Sequence, residues 1–295
     1  MRMLIGCVTL TLALPSPAAA SDHGDAPALI EGVTRREADL TDVYAFTQGD
    51  DIVLIIGFNA GLPRGTTSYL YPSDVRLRLH VDNDSPVAFG GTPERDADLV
   101  TYGGTILDPK HVAEDITFSL SFDDNGDSSL RIQGLPKEAE DLVHWEDGTY
   151  DDPFIGANQN AQLRNVGALV LQMPLALVTG GRSNATLLVW GDSSYDDWDG
   201  PRVDHMGRAS WMAVTTTNVN RWHPRHHFRE TGKPPAVIIY DVSKPAGFPN
   251  GRRLADDVRH IIRGEPSATN RRCFEQPTVF PYLAPPNTAT CTALP

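Results

Sequence analysis

Aspartate and histidine carry most of the chemistry this chain could do. His23, Asp25, Asp39 and Asp42 stand near the start, and Asp82 and Asp84 close a later apolar segment. Carboxylates grouped in this way suit calcium, and an added imidazole suits zinc or manganese. The same aspartates could equally cap turns by accepting backbone amides. A second motif depends on processing. If the chain is cut after Ala20, the amine of Ser21, the amides of Asp22 and His23 and the His23 imidazole can wrap copper or nickel in a square plane.

Two further stretches need weighing. Asp123, Asn125 and Asp127 have the first spacings of a calcium loop, but position six is Ser128 and position twelve is Gly134, so an EF-hand is excluded and an acidic hairpin turn is expected. His223, His226 and His227 place three imidazoles within five residues and form a secondary metal candidate. Pro224 argues against a regular helix presenting them together, which favours a basic surface loop. Catalytic signatures are missing: no nucleophile elbow, zinc-protease helix, phosphate loop or dinucleotide fingerprint occurs. Carboxylates are plentiful, yet no spacing singles out a glycosidase pair. Tyr195, Trp198 and Trp222 could stack on sugar rings or simply pack.

The elements that would position these groups follow a leader. Arg2, the apolar run Leu4–Leu14 and the small residues Pro15–Ala20 read as a signal peptide over residues 1–20. A periplasmic or secreted protein is therefore expected. The two cysteines beyond the leader, Cys273 and Cys291, are expected to form one disulfide, worth about 3 kcal/mol in the chain-entropy model. With 38 acidic and 25 basic residues the net charge is −13, which disfavours nucleic acid and anionic membrane surfaces as partners. No later stretch is long and apolar enough for a transmembrane segment.

Short β-branched and apolar segments dominate the remainder. Residues 41–47 place Val43 and Ala45 on one face and Asp42, Tyr44 and Phe46 on the other, before a hairpin turn at 48–51. Ile52–Phe58 is nearly all apolar, as in a central strand buried on both faces. Val75–Val81 and Ile116–Phe122 alternate at period two and read as half-buried strands, with Leu130 and Ile132 beginning a return strand. Later strands are expected at 166–173, 186–190, 212–216 and 236–240, and a helix at 253–263. The fold class is mainly β: a single-domain antiparallel β-sandwich over residues 21–295, with long loops and one or two short helices.

With the segments in view, the strings Ser21–Pro27, Ala38–Phe46, Val81–Asp84, Asp151–Phe154, His205–Arg208, Phe248–Val258 and Phe280–Pro286 resemble, in that order, an exported bacterial family, domain of unknown function 4331. Gly24 and Asp25 stand where the family opening has Arg and Glu. The resemblance implies export and one domain and supplies no chemistry. The expected function is that of a non-catalytic metal- or ligand-binding protein, with calcium, or copper at the processed terminus, as the leading ligand. The alternatives are a hydrolase using a carboxylate and histidine site, and a carbohydrate- or surface-binding module.

Overall fold

The computed structural model describes residues 36–90, 103–151, 164–195, 202–208, 222–232, 234–264, 273–292 and 294. The expected leader, the Ser21-Asp22-His23 motif, Asp25, Trp198 and the strand expected at 212–216 lie outside the described residues.

β1 (Leu40–Gln48) and β2 (Asp51–Leu62) form an antiparallel hairpin in which Gln48 opposes Asp51. The two-residue turn needs a positive φ, and Gly49 supplies it at 62°. β9 (Asn165–Pro174) pairs with the other edge of β2, and β8 (His144–Asp151) pairs with β9. The first sheet therefore runs β1-β2-β9-β8.

The second sheet is built on β3 (Val75–Asp82), flanked by β6 (Ile116–Phe122) and β10 (Thr186–Tyr195). β7 (Ser128–Gln133) extends it beyond β6, while β11 (Asp204–Met206) and β12 (Ile238–Asp241) share the outer edge of β10. A two-stranded ribbon joins β4 (Val87–Ala88) to β5 (Thr105–Ile106). All pairings among the described residues are antiparallel, and the two main sheets stack as a β-sandwich.

Alternation explains the packing. Ile52, Leu54, Ile56 and Phe58 of β2 enter the core between the sheets and meet Leu77 and Leu79 of β3 and Phe118 and Leu120 of β6. Val53 and Ile55 point the other way, into a second apolar layer with Tyr44, Phe46 and Val170 that Leu254, Tyr282 and Leu283 cover. Each such side chain, fully buried, contributes roughly 1.5–3 kcal/mol. The C-terminal cover is tied down by Asn287, wholly buried, whose side chain donates to Asp151 at 2.7 Å and whose backbone amide donates to Asn165 at 2.7 Å. Cys273 and Cys291 stand at disulfide distance beside it, Cα–Cα 5.7 Å.

Three expectations change. β3 is not half-buried: Arg78 and His80, on its polar face, are also covered. The expected 253–263 helix is shorter, α3 (Val258–Arg263), because the Asp257 carboxylate caps it by accepting from the His260 amide. The histidine stretch is not a loop. Helix α2 (Pro224–Thr231) starts there with Pro224 at its first position, where the missing N–H costs no hydrogen bond, and His223 as N-cap. Helix α1 (Leu175–Thr179) follows β9. Among the described residues no helix is long and apolar enough to cross a membrane.

Candidate functional site

The outer face of the second sheet holds a ladder of polar side chains. Arg78 of β3 lies opposite Asp192 of β10 and Ser119 of β6; His80 lies opposite Trp190 and Thr117. Arg78 pairs with Asp192 through Nε and donates from Nη2 to the Ser194 hydroxyl at 3.1 Å. His80 Nε2 meets the second Asp192 oxygen at 3.1 Å, and Nδ1 meets the Thr117 hydroxyl at 2.9 Å. An ionised carboxylate only accepts, so Nε2 carries the proton. Burial alone would raise Asp192, but the charges of His80, Arg78 and Arg202 hold it well below the usual carboxylate range.

Arg202 carries the ladder outward. Its Nε donates to Asp192 at 2.6 Å and its Nη2 to Glu114 at 3.3 Å. Glu114 also accepts from His223 Nε2 at 2.7 Å, while His223 Nδ1 accepts the Arg225 amide at 3.1 Å. The N-cap of α2 is thus bonded to the sheet's polar network. Burial pushes Glu114 up, yet the bond and charge of His223, with the charge of His80, outweigh it and hold the carboxyl at about 2. Burial pushes His223 below its ordinary value against the pull of Glu114. The Trp190 ring stacks on His80, centroids 5.2 Å apart, and meets His223 edge-on at 5.8 Å. Its Nε1 is buried and finds no acceptor among the described residues.

Thr117, His80 and Asp192 stand in the order of a nucleophile, base and orienting acid. Thr117, however, is 8% exposed and His80 3%, and Trp190 covers the imidazole. The arrangement holds three strands together and presents no open hydroxyl.

Beside the ladder lies a cleft of about 200 Å³. Ile106, Pro109, Pro235 and Ile239 form apolar walls, Phe228 of α2 stands at its side with more than half of its surface exposed, and Arg208 is the charged residue among the described lining. Arg208 is buried, and its Nε donates to the Val237 carbonyl at 3.2 Å. Gly207 permits this placement: a Cβ there would lie 1.9 Å from the Ala236 carbonyl oxygen. His205 and His227 grip the same peptide. His205 Nε2 donates to the Ala236 carbonyl at 2.8 Å, and His227 Nδ1 accepts the Ala236 amide at 3.0 Å. Burial, with the neighbouring His227, pushes His205 well below its ordinary value, so it sits neutral.

The histidine trio of the sequence is therefore divided. His223 and His227 each engage both ring nitrogens with protein groups, and His226 lies on α2 with its ring 6.3 Å from that of His223.

The aspartates are divided as well. Asp42 pairs with Arg252 at 2.5 Å, both buried, on the outer face of the first sheet. Asp39 stands just before β1, its carbonyl accepting the Asn59 amide at 2.8 Å. Asp82 and Asp84 come together with Asp115, which sequence reading missed; a ligand atom from each lies within 4.8 Å of the others. The signal was available in the strand register, since Val81 opposes Ile116. Asp82 accepts from the Ser85 amide, the Ser85 hydroxyl and the Ala113 amide at 2.9, 2.7 and 3.0 Å. Burial and the like charges of Asp84 and Asp82 raise Asp115. Tyr195 packs against the core, Trp222 is partly exposed, and the acidic segment 123–127 is a turn in which Asp123 accepts the amides of Asn125 and Asp127.

Comparison with protein-family models, with curated proteins and with solved structures finds no match to this chain.

Proposed function

We propose that this chain is a non-catalytic binding protein that works outside the cytoplasm and holds a small molecule in the cleft on the outer face of its second sheet. One observation carries the reading: a concave space of about 200 Å³ with apolar walls and, among its described lining residues, one charged side chain, Arg208. Apolar concavity with few polar groups is the usual form of a ligand site. The neighbouring groups with displaced pKa values, Asp192, Glu114, His205 and His223, add weight, because such groups gather at functional sites. The leader pattern and the Cys273–Cys291 pair support the compartment. Screening a fragment library by NMR tests the reading. Shifts confined to Ile106, Phe228 and Ile239 are expected; hits that never touch these residues would refute it.

A second reading rests on a separate observation, the convergence of Asp82, Asp84 and Asp115. Oxygen ligands of this kind suit calcium. Calcium titration should then raise the melting temperature of the wild type and leave the Asp84→Asn/Asp115→Asn double variant unchanged.

A further inference from the structure

We infer that helix α2 is a wall of the cleft that mild acid releases: neutral His223 latches the start of the helix to the second sheet, and a second ring proton breaks the latch. The inference rests on hydrogen bonds within the chain and holds whatever the cleft takes.

The two nitrogens of His223 play opposite parts. Nε2 meets the Glu114 carboxylate at 2.7 Å, and an ionised carboxylate only accepts, so Nε2 carries the one ring proton. Nδ1 is then a bare lone pair, and as the N-cap of α2 it accepts the Arg225 amide at 3.1 Å. The ring is bonded to Glu114 on one side and to the helix on the other. With both nitrogens engaged by protein groups, no lone pair is left for a metal. A second proton turns Nδ1 into a donor facing another donor. Glu114 holds the imidazolium more firmly than the neutral ring, so the ring stays with the sheet and the helix loses its cap.

The surrounding charges set where this happens. Among the described residues Glu114 is the acid that bonds His223, while Arg202, which also binds Glu114, and Arg225 on the helix oppose the proton. On α2 itself the first turn has no acid, the His226 ring stands 6.3 Å away, and Arg229 pairs with Glu230. The turn Pro109–His111 packs against α2; there Asp108 and His111 pair with each other at 2.9 Å, and Lys110 is exposed. Trp190 adds an uncharged ring edge. A cation at the N-terminal end of a helix also opposes the helix dipole. Burial, against the pull of Glu114, holds His223 below its ordinary 6.5. The latch is therefore intact above pH 6.5 and weakens as the pH falls from there toward the lowered value.

The consequence reaches the cleft through Phe228, which lines it one helical turn beyond Pro224. His227 bonds the Trp222 carbonyl and the Ala236 amide and holds the middle of the helix. The first turn thus lets go while the helix stays on the protein, and the wall shifts without detaching.

Hydrogen exchange of the full chain at pH 7.5 and 5.5, corrected for the intrinsic effect of pH, reads the latch at the Arg225 and His226 amides. In the wild type their protection should fall several-fold relative to β2, with about tenfold the limit for one proton of ordinary pKa. His223→Asn, which caps a helix without titrating, should keep the protection at both pH values, and His223→Ala should lose it at both. Nitrogen shifts of the wild-type His223 ring give a readout free of any variant: the Nε2–H form is expected at pH 7.5. Equal wild-type protection at the two pH values, a loss that persists in His223→Asn, or a ring protonated at Nδ1 at pH 7.5 would overturn the inference. None of these results involves a ligand, so the cleft reading stands or falls separately.

Discussion

The outer faces of the two sheets solve one problem in opposite ways. On the first sheet, Tyr44, Phe46, Val53, Ile55 and Val170 are sealed beneath Leu254, Tyr282 and Leu283, and the buried Asp42 and Arg252 pair within the layer. On the second sheet, Arg78, His80, Asp192, Arg202, Glu114 and His223 form a chain of polar and charged groups that reaches the surface, with Glu114 and Arg202 each about one quarter exposed. The first face is a lid with one internal pin. The second is a polar scaffold with an apolar cleft beside it. A sheet needs no ionised network to be covered, as the first face demonstrates, so the network on the second face points to something beyond cover.

The comparison can be broken most severely at the pin. Asp42→Ala would remove the carboxylate that pairs with the buried Arg252 and should cost about 3–5 kcal/mol in urea unfolding. Equal loss from Glu114→Ala would erase the distinction, since a part-exposed carboxylate should matter less.

Gly207→Ala tests the cleft wall. The added Cβ collides with backbone at Ala236, and the expected loss is roughly 1–3 kcal/mol together with weaker ligand binding. A variant that keeps wild-type stability would show that the 205–208 segment yields easily.

Acid should loosen the second face before the first. Glu114 is held at about 2 against an ordinary 4.5, so it contributes stability above pH 4.5 that is lost as the pH falls toward 2. His223, held below its ordinary 6.5, likewise favours the fold above that value and opposes it as the pH falls through its lowered one. Together they should remove on the order of 1–2 kcal/mol between pH 7 and 3, after discounting for solvent at Glu114. Hydrogen exchange should show α2 opening first, and Glu114→Gln should flatten the profile.

The smallest effect belongs to Trp222→Ala. Trp222 is 39% exposed, and among the described residues it is its backbone carbonyl that is engaged, by His227, so stability should change by less than about 0.5 kcal/mol. A larger loss would make the ring part of the structure of α2.

Most of the sandwich was legible because alternation is a local property. The β1–β2 hairpin, the two-sided burial of β2 and the 123–127 turn follow from short windows of sequence. The site was far less so. Arg78 and His80 look like the wet face of a half-buried strand until residues more than 100 positions away arrive to cover them. Asp192 and Glu114 carry no motif, and Arg208 matters only because Gly207 lets backbone approach backbone. For the aspartates, sequence grouped Asp42 with Asp82 and Asp84, whereas strand pairing substitutes Asp115. Pro224 misled because its effect depends on position: it breaks a helix interior but starts a helix well.

The polar ladder across β6, β3 and β10 also bears on how the chain chooses its alignment. A slip of β3 by one residue would exchange Leu77 and Leu79 with Arg78 and His80, driving two charged or polar groups into the space between the sheets and setting leucines against Asp192. An all-apolar β3 would tolerate either alignment almost equally. The charges therefore act as a key that only one strand pairing accepts, and an apolar replacement of Arg78 and Asp192 together should give a chain that still collapses but pairs its strands in more than one way.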